Sequence, residues 1–204
     1  MHERMPRLYA VADRAFGDPV QLAKMLFMGG AQLVQVRDKA ATANFLLAEV
    51  EQVLKLAPRG VRVIVNDRSD VARIAGAGGV HLGQQDLPPA LVRKTLAAGQ
   101  IVGYSTHNLS QAVAADNEPV DYIAVGPVFP TTTKTNPDPV VGLDSLREIC
   151  ARVRKPVVAI GGITLETASD VLACGAASLA VIGDLLRYGD VAARTREWID
   201  RLES

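Results

Sequence analysis

The chain has 204 residues, with 22 acidic and 22 basic side chains and a formal net charge of zero. That balance argues against general binding to nucleic acid or anionic membrane, which relies on an excess of positive charge. Half of the chain is apolar (49%) but only 4% is aromatic, so a core for one domain over residues 1–204 must be built from Val, Leu, Ile and Ala.

Short β-branched runs alternate with longer amphipathic stretches. In chain order the strand candidates are "RLYAVAD", "QLVQVRD", "VRVIVND", "GVHLG", "QIVGYST", "DYIAVGPV", "PVVAIGG" and "SLAVIG". The helix candidates between and after them are "PVQLAKMLFMGG", "NFLLAEVEQVLKLA", "DVARIAGAG", "LPPALVRKTLAAG", "SQAVAADN", "DSLREICARV", "TLETASDVLACG" and "DVAARTREWIDRL". Glycine recurs where a helix must end before the next strand. Strands apolar on both faces, each followed by a helix, indicate a buried parallel sheet. Eight such units predict a closed (β/α)8 barrel of the TIM type, a single α/β domain; an open doubly wound sheet is the rival.

Cys150 and Cys174 sit in helix-like segments with no metal-finger spacing and read as reduced core residues. The first residues carry charges and no apolar segment, so no secretory signal is expected. No apolar run approaches the ~20 residues of a membrane-spanning helix. The expected setting is the cytoplasm.

Polar residues gather at the carboxyl ends of the strands: Asp13, Gln35, Arg37, Asp38, Lys39, Asn66, Asp67, Gln84, Asp86, Ser105, His107, Lys134 and the Gly161–Gly162 pair. In a barrel these ends converge on one rim, where active sites form. Polar loops and helix caps explain some of them, Asp13 and Asp38 included. They do not explain "QVRDK", where the period of two aims Gln35, Arg37 and Lys39 the same way, into the barrel mouth.

Arg37, Lys39 and Lys134 form a cationic set suited to a polyanion such as pyrophosphate. Asp67 and Asp86 follow adjacent strands, which lie ~4.8 Å apart, so their carboxylates can share one cation. Oxygen ligands beside a phosphate favour Mg2+. The glycines of "AIGGI" and "AVIGD" let backbone N–H groups approach a second phosphate after strands seven and eight. For His81, within strand four, a structural role is expected ahead of the alternative, a place beside the barrel mouth. Ser105 reads as a phosphate contact, with His107 a polar group near it. No carboxylate is positioned by sequence for a Ser–His relay, so hydrolase chemistry is not expected.

Across nearly its whole length the chain resembles the thiamine-phosphate synthase (thiamine-phosphate pyrophosphorylase) family. The resemblance rests on "QVRDK", "VNDRSDVA", "GVHLGQQDLP", "GYSTHN", "DYIAVGPVFPTTTK" and "PVVAIGGI", in that order. It implies a Mg2+-dependent transferase that joins an aminopyrimidine pyrophosphate to a thiazole phosphate and releases pyrophosphate. The partners it implies are these small molecules, with no nucleic acid and no membrane; a homo-oligomer and the thiazole tautomer stay open. It further implies that Gln35 and Asn66 contact the aminopyrimidine. Arg37, Lys39, Ser105 and Lys134 become the pyrophosphate clamp that carries catalysis, and Asp67 and Asp86 the Mg2+ ligands. Thr131 and Thr133, with the backbone at Gly162 and at Val181, Ile182 and Gly183, become the thiazole-phosphate contacts.

Two departures touch the thiazole half. The family pattern after strand eight usually carries a serine, whereas this chain has Gly183 and Asp184. An asparagine often found soon after the double glycine is also missing from "GGITLETA". Two rivals remain. A thiazole tautomerase would need a general acid/base, for which His107 could be offered, and no metal. A non-catalytic precursor sensor would lack the metal pair or the clamp.

Overall fold

The computed structural model describes residues 5–131 and 138–203. Eight parallel strands, β1 (Leu8–Asp13), β2 (Leu33–Arg37), β3 (Arg62–Asn66), β4 (Gly79–Leu82), β5 (Ile101–Thr106), β6 (Tyr122–Val125), β7 (Val157–Ile160) and β8 (Ser178–Val181), follow one another around a closed barrel. The rival open sheet is excluded because β1 pairs with β8, with Tyr9 opposite Ala180.

The strand period of two divides the core into two layers. Tyr9, Leu33, Ile64, Tyr122, Ala124, Val158 and Ala180 pack inside the barrel. The alternate residues, such as Val34, Val36, Val63, Val65, Leu179 and Val181, face outward into a larger core shared with the helices. Each strand is thus apolar on both sides, and each buried Val, Leu or Ile contributes roughly 1.5–3 kcal/mol of transfer free energy.

Helices α1 (Pro19–Met28), α2 (Ala43–Leu56), α3 (Ser69–Ala75), α4 (Pro89–Thr95), α5 (Leu109–Asp116), α6 (Gly142–Arg152) and α7 (Ala168–Ala173) each link consecutive strands, and α9 (Val191–Glu203) closes the chain. Their starts are written in the sequence: Asp18 caps α1 through Val20 N, with Pro19 following, and Asn108 caps α5 through Gln111 N at 2.9 Å. Two short elements escape the helical period: a 3-10 turn, Arg14–Phe16, and α8 (Gly183–Leu186) between β8 and α9. Strand β6 ends at Val125, three residues before the apolar run does. Among the described residues no helix is long and apolar enough to cross a membrane.

Inside the barrel, Gly103 makes room for a large ring. A Cβ at that position would lie 2.0 Å from Tyr122 Cζ, so β5 has no side chain where the β6 phenol crosses the interior. This contact fixes the floor of the cavity above it.

Candidate active site

A cavity of about 980 Å³ opens at the carboxyl ends of the strands. Its lining includes Gln35, Arg37, Lys39, Asn66, Asp67, Asp86, Ser105, Thr131, Gly162, Val181, Ile182 and Gly183. Every predicted site residue that the structure describes therefore meets at one mouth. Thr133 and Lys134 lie outside the described residues.

Gln35, Arg37 and Lys39 do share one face of β2 and its extension, as the period of two requires. Arg37 is held low in the mouth by Asp13, whose Oδ2 accepts from Nη1 at 2.5 Å. Asp13 also accepts from Ala15 N at 3.0 Å, so one carboxylate caps the 3-10 turn and orients the guanidinium. Lys39 is more exposed, with its ammonium 3.5 Å from Asp67 Oδ2.

Asp67 is the one described non-glycine residue with a positive φ, 61°. A carboxylate tolerates this region better than most side chains, and such backbone outliers concentrate at working sites. Burial pushes its carboxyl above the ordinary carboxylate range; Lys39 pulls it back, and the neighbouring Asp86 adds to the rise. Asp86 is steadied by Gly83 N, which donates to its Oδ2 at 2.6 Å. Two acidic groups with adverse mutual electrostatics, offering only oxygen atoms, fit a hard divalent cation such as Mg2+. Among the described residues no cluster of three or more His, Cys, Asp or Glu could hold a metal. A cation at this pair would therefore depend on substrate oxygens and water for most of its shell, as Mg2+ commonly does.

The phosphate-binding geometry expected after β7 has a steric basis. Gly161 and Gly162 take φ values of 99° and 66°. A Cβ on Gly162 would lie 2.5 Å from Pro130 O and 2.7 Å from Phe129 Cβ. Only glycine lets this turn pack beneath the loop that begins at Gly126. After β8, Gly183 opens α8, and Asp184, which also lines the cavity, gives its carboxylate to two donors. Arg194 Nη2 donates to Asp184 Oδ2 at 2.8 Å and Trp198 Nε1 at 2.7 Å, both from α9. The carboxylate beside the expected second anion site is thus paired with a cation.

Sequence reasoning missed several wall and floor residues: Tyr9, Gln111, Arg187 and Tyr188 also line the cavity. His81, read as structural with the barrel mouth as the alternative, does line the cavity, where its ring contacts Ser105. His81 Nε2 and Ser105 Oγ are 2.9 Å apart, and His81 Nδ1 lies 2.9 Å from Tyr122 Oη. Among the described residues the group bonded to Nδ1 of this histidine is a phenol, where a hydrolytic relay would have a carboxylate. His107 sits at the rim, its Nδ1 2.7 Å from Gly126 O and 3.4 Å from Asp138 Oδ2. The signal for Tyr9 and Tyr122 was present: their phase places them inward, where a phenol is unusual among Val, Leu and Ala.

A closed parallel barrel with its polar groups at the carboxyl-end mouth has the architecture of the (β/α)8 barrel enzymes. The family model for thiamine monophosphate synthase matches residues 8–185, and the chain belongs to that family. It is 44% identical over 208 residues to a thiamine-phosphate synthase of Koribacter versatilis, covering 98% of each chain. It is 41% identical to a thiamine-phosphate synthase of Methanospirillum hungatei, covering 95% of this chain and 96% of the relative. The solved thiamine phosphate pyrophosphorylase of Pyrococcus furiosus superposes with a TM-score of 0.89 at 34% identity, over 97% of this chain and 96% of that one.

Proposed function

We propose that the chain is a thiamine-phosphate synthase, joining 4-amino-2-methyl-5-pyrimidinylmethyl pyrophosphate to 4-methyl-5-(2-hydroxyethyl)thiazole phosphate with loss of pyrophosphate. The observation that carries this reading is a single mouth that combines amides, a cationic set and a carboxylate pair, in a chain of the thiamine monophosphate synthase family.

The division of labour follows from the chemistry of each group. Gln35 and Asn66 are largely buried amides at the base of the mouth. An amide offers a donor and an acceptor side by side, which matches a ring nitrogen next to an amino group. Arg37, Lys39 and Ser105, together with Lys134, bind the pyrophosphate. Asp67 and Asp86 would hold Mg2+, whose chemistry there is neutralisation of the charge that grows on the departing pyrophosphate. The backbone at Gly162 and at Val181 to Gly183, with Thr131 and Thr133, holds the thiazole phosphate at the opposite side of the mouth.

Cleavage of the methylene C–O bond sends its electron pair to pyrophosphate and leaves a cation that the electron-rich aminopyrimidine stabilises. The thiazole nitrogen then donates its lone pair to that carbon. No protein nucleophile is required, so rate comes from positioning and from charges already aimed at the leaving group. Rescue of a thiamine-requiring strain that lacks its own condensing enzyme tests the assignment. Growth without added thiamine is expected; growth only when thiamine phosphate is supplied would contradict it.

A further inference from the structure

Beneath the cavity five side chains from five strands form one unbroken line of hydrogen bonds. Gln35 Nε2 donates to Tyr9 Oη at 2.8 Å. Tyr9 Oη lies 3.0 Å from Tyr122 Oη. Tyr122 Oη lies 2.9 Å from His81 Nδ1, and His81 Nε2 lies 2.9 Å from Ser105 Oγ. The rings are fixed in place: Tyr9 meets Tyr122 edge to face at 82°, His81 stacks on Tyr122 at 16°, and Gly103 leaves the space the Tyr122 ring fills. Tyr9 and Tyr122 are about 1% exposed, so neither phenol can turn to water for a partner.

With the Gln35 amide turned so that Nε2 donates to Tyr9, the line runs one way. A phenol has one proton to give. Tyr9 accepts from Gln35, and the acceptor that remains beside its own proton, among the described residues, is Tyr122 Oη. Tyr122 therefore donates onward to His81 Nδ1. An imidazole that accepts at Nδ1 carries its proton on Nε2 and donates it to Ser105. Ser105 Oγ, having accepted from below, directs its own proton up into the cavity. Burial pushes both phenols above their ordinary range, which keeps both protons in place.

The opposite direction is also internally consistent, and it is instructive. Gln35 would then turn its carbonyl to Tyr9 and present only NH2 to the cavity, while Ser105 would spend its proton on His81. One polarity offers an acceptor at Gln35 and a donor at Ser105; the other offers the reverse at both ends. On the functional reading above, the substrate brings an amino donor to Gln35 and an anion to Ser105. Both demands select the same polarity.

We propose that Tyr9, Tyr122 and His81 are positioning residues that lock Gln35 and Ser105 into complementary hydrogen-bonding states, so that the site reads the amino group of the pyrimidine and the anionic pyrophosphate as one unit. Neither tyrosine touches a reacting atom in this role. They set which atoms the two contacting residues show to the substrate.

The first test needs no substrate and so stands apart from the assigned activity. In enzyme carrying ¹⁵N-labelled histidine, with the His81 signals assigned by loss in His81→Gln, Nε2 is expected to be the protonated nitrogen and Nδ1 the bare one. A proton on Nδ1 would overturn the proposal. The second test uses Tyr122→Phe, which keeps the ring stacking and breaks the line in the middle. Its preference for the 4-amino over the 4-oxo pyrimidine pyrophosphate should fall about tenfold, the scale of one hydrogen bond, with the KM for thiazole phosphate unchanged. A purely structural role would instead reduce turnover of both pyrimidines equally and leave the preference intact. If wild-type enzyme turns over neither pyrimidine, the assigned activity has failed while the histidine measurement still decides the polarity. If Tyr122→Phe does not fold, that same measurement on wild type decides it.

Discussion

Asp184 and Arg194 form an ion pair at 2.8 Å beside the barrel mouth, with side chains only 11% and 10% exposed. The carboxylate that stands after β8, where a serine is usual in the family pattern, is therefore a strut between α8 and α9. Removing the carboxylate leaves Arg194 with its second partner, Glu197 Oε2 at 2.9 Å, but takes the acceptor from Trp198 Nε1. Asp184→Ala should lose ~1–3 kcal/mol of stability, and Asp184→Asn about half as much because an amide keeps some of the hydrogen bonding. Denaturant titration measures this loss. The KM for thiazole phosphate should stay within about twofold in the folded protein, since one lost neutral hydrogen bond is the smallest effect a direct contact would show. A tighter KM in Asp184→Asn would mean the carboxylate repels the phosphate after all.

Gly183 tells the other half of that departure. It is absent from the glycines with positive φ, and a Cβ there would meet Arg187 Nε at 3.5 Å, an ordinary contact. Gly183→Ser should fold with stability unchanged or raised by a few tenths of a kcal/mol, because glycine is a poor helix former. Its KM for thiazole phosphate should hold or fall by up to about tenfold if the hydroxyl reaches the phosphate. A loss of affinity for the pyrimidine pyrophosphate alone would place the two substrates at opposite ends from those assigned.

Asp67 and Asp86 should act as a pair toward Mg2+. Excess chelator should abolish turnover, and Asp67→Ala and Asp86→Ala should each collapse it. Mg2+ together with inorganic pyrophosphate should raise the melting temperature of the wild type and much less that of either variant. At 100 times its Kd a ligand of the native state adds about 2.7 kcal/mol. Full activity in chelator would remove the metal from the account.

Far from the mouth, Asp116 at the end of α5 ties down the loop before β7. It accepts from Arg154 Nε at 2.9 Å and from the backbone N of Arg154 and Lys155, each at 3.0 Å. Burial works to raise its carboxyl, yet these donors outweigh it and hold the pKa below the ordinary value of 3.8. A carboxylate depressed in the folded state stabilises the protein above its unfolded pKa, and the benefit is lost as pH falls through the folded one. Asp116→Asn should cost ~1–2 kcal/mol near neutral pH, and its deficit should shrink below about pH 4. A deficit that is constant with pH would show that the charge contributes nothing.

The barrel was legible because its signals are local and repeated. Strands such as "VRVIVND" are apolar on both faces, and the stop glycines recur at the helix ends. The mouth was legible at Gln35, Arg37 and Lys39 because a period of two leaves no other common direction. The short helix α8 was not legible, since four residues are too few for a helical period to show. Nor was the role of Asp184, because the partners that neutralise it, Arg194 and Trp198, stand 10 and 14 positions away on the next helix. The line from Gln35 to Ser105 joins five strands through contacts up to 113 positions apart in the chain. Such a line depends on barrel closure, which no single segment encodes.

The central claim is tested most directly by incubating the purified chain with the pyrimidine pyrophosphate, the thiazole phosphate and Mg2+, and quantifying products. The account predicts thiamine phosphate and pyrophosphate in equal amounts, both lost when either heterocycle is left out. Pyrophosphate released without thiamine phosphate, or no reaction in Mg2+, would contradict it.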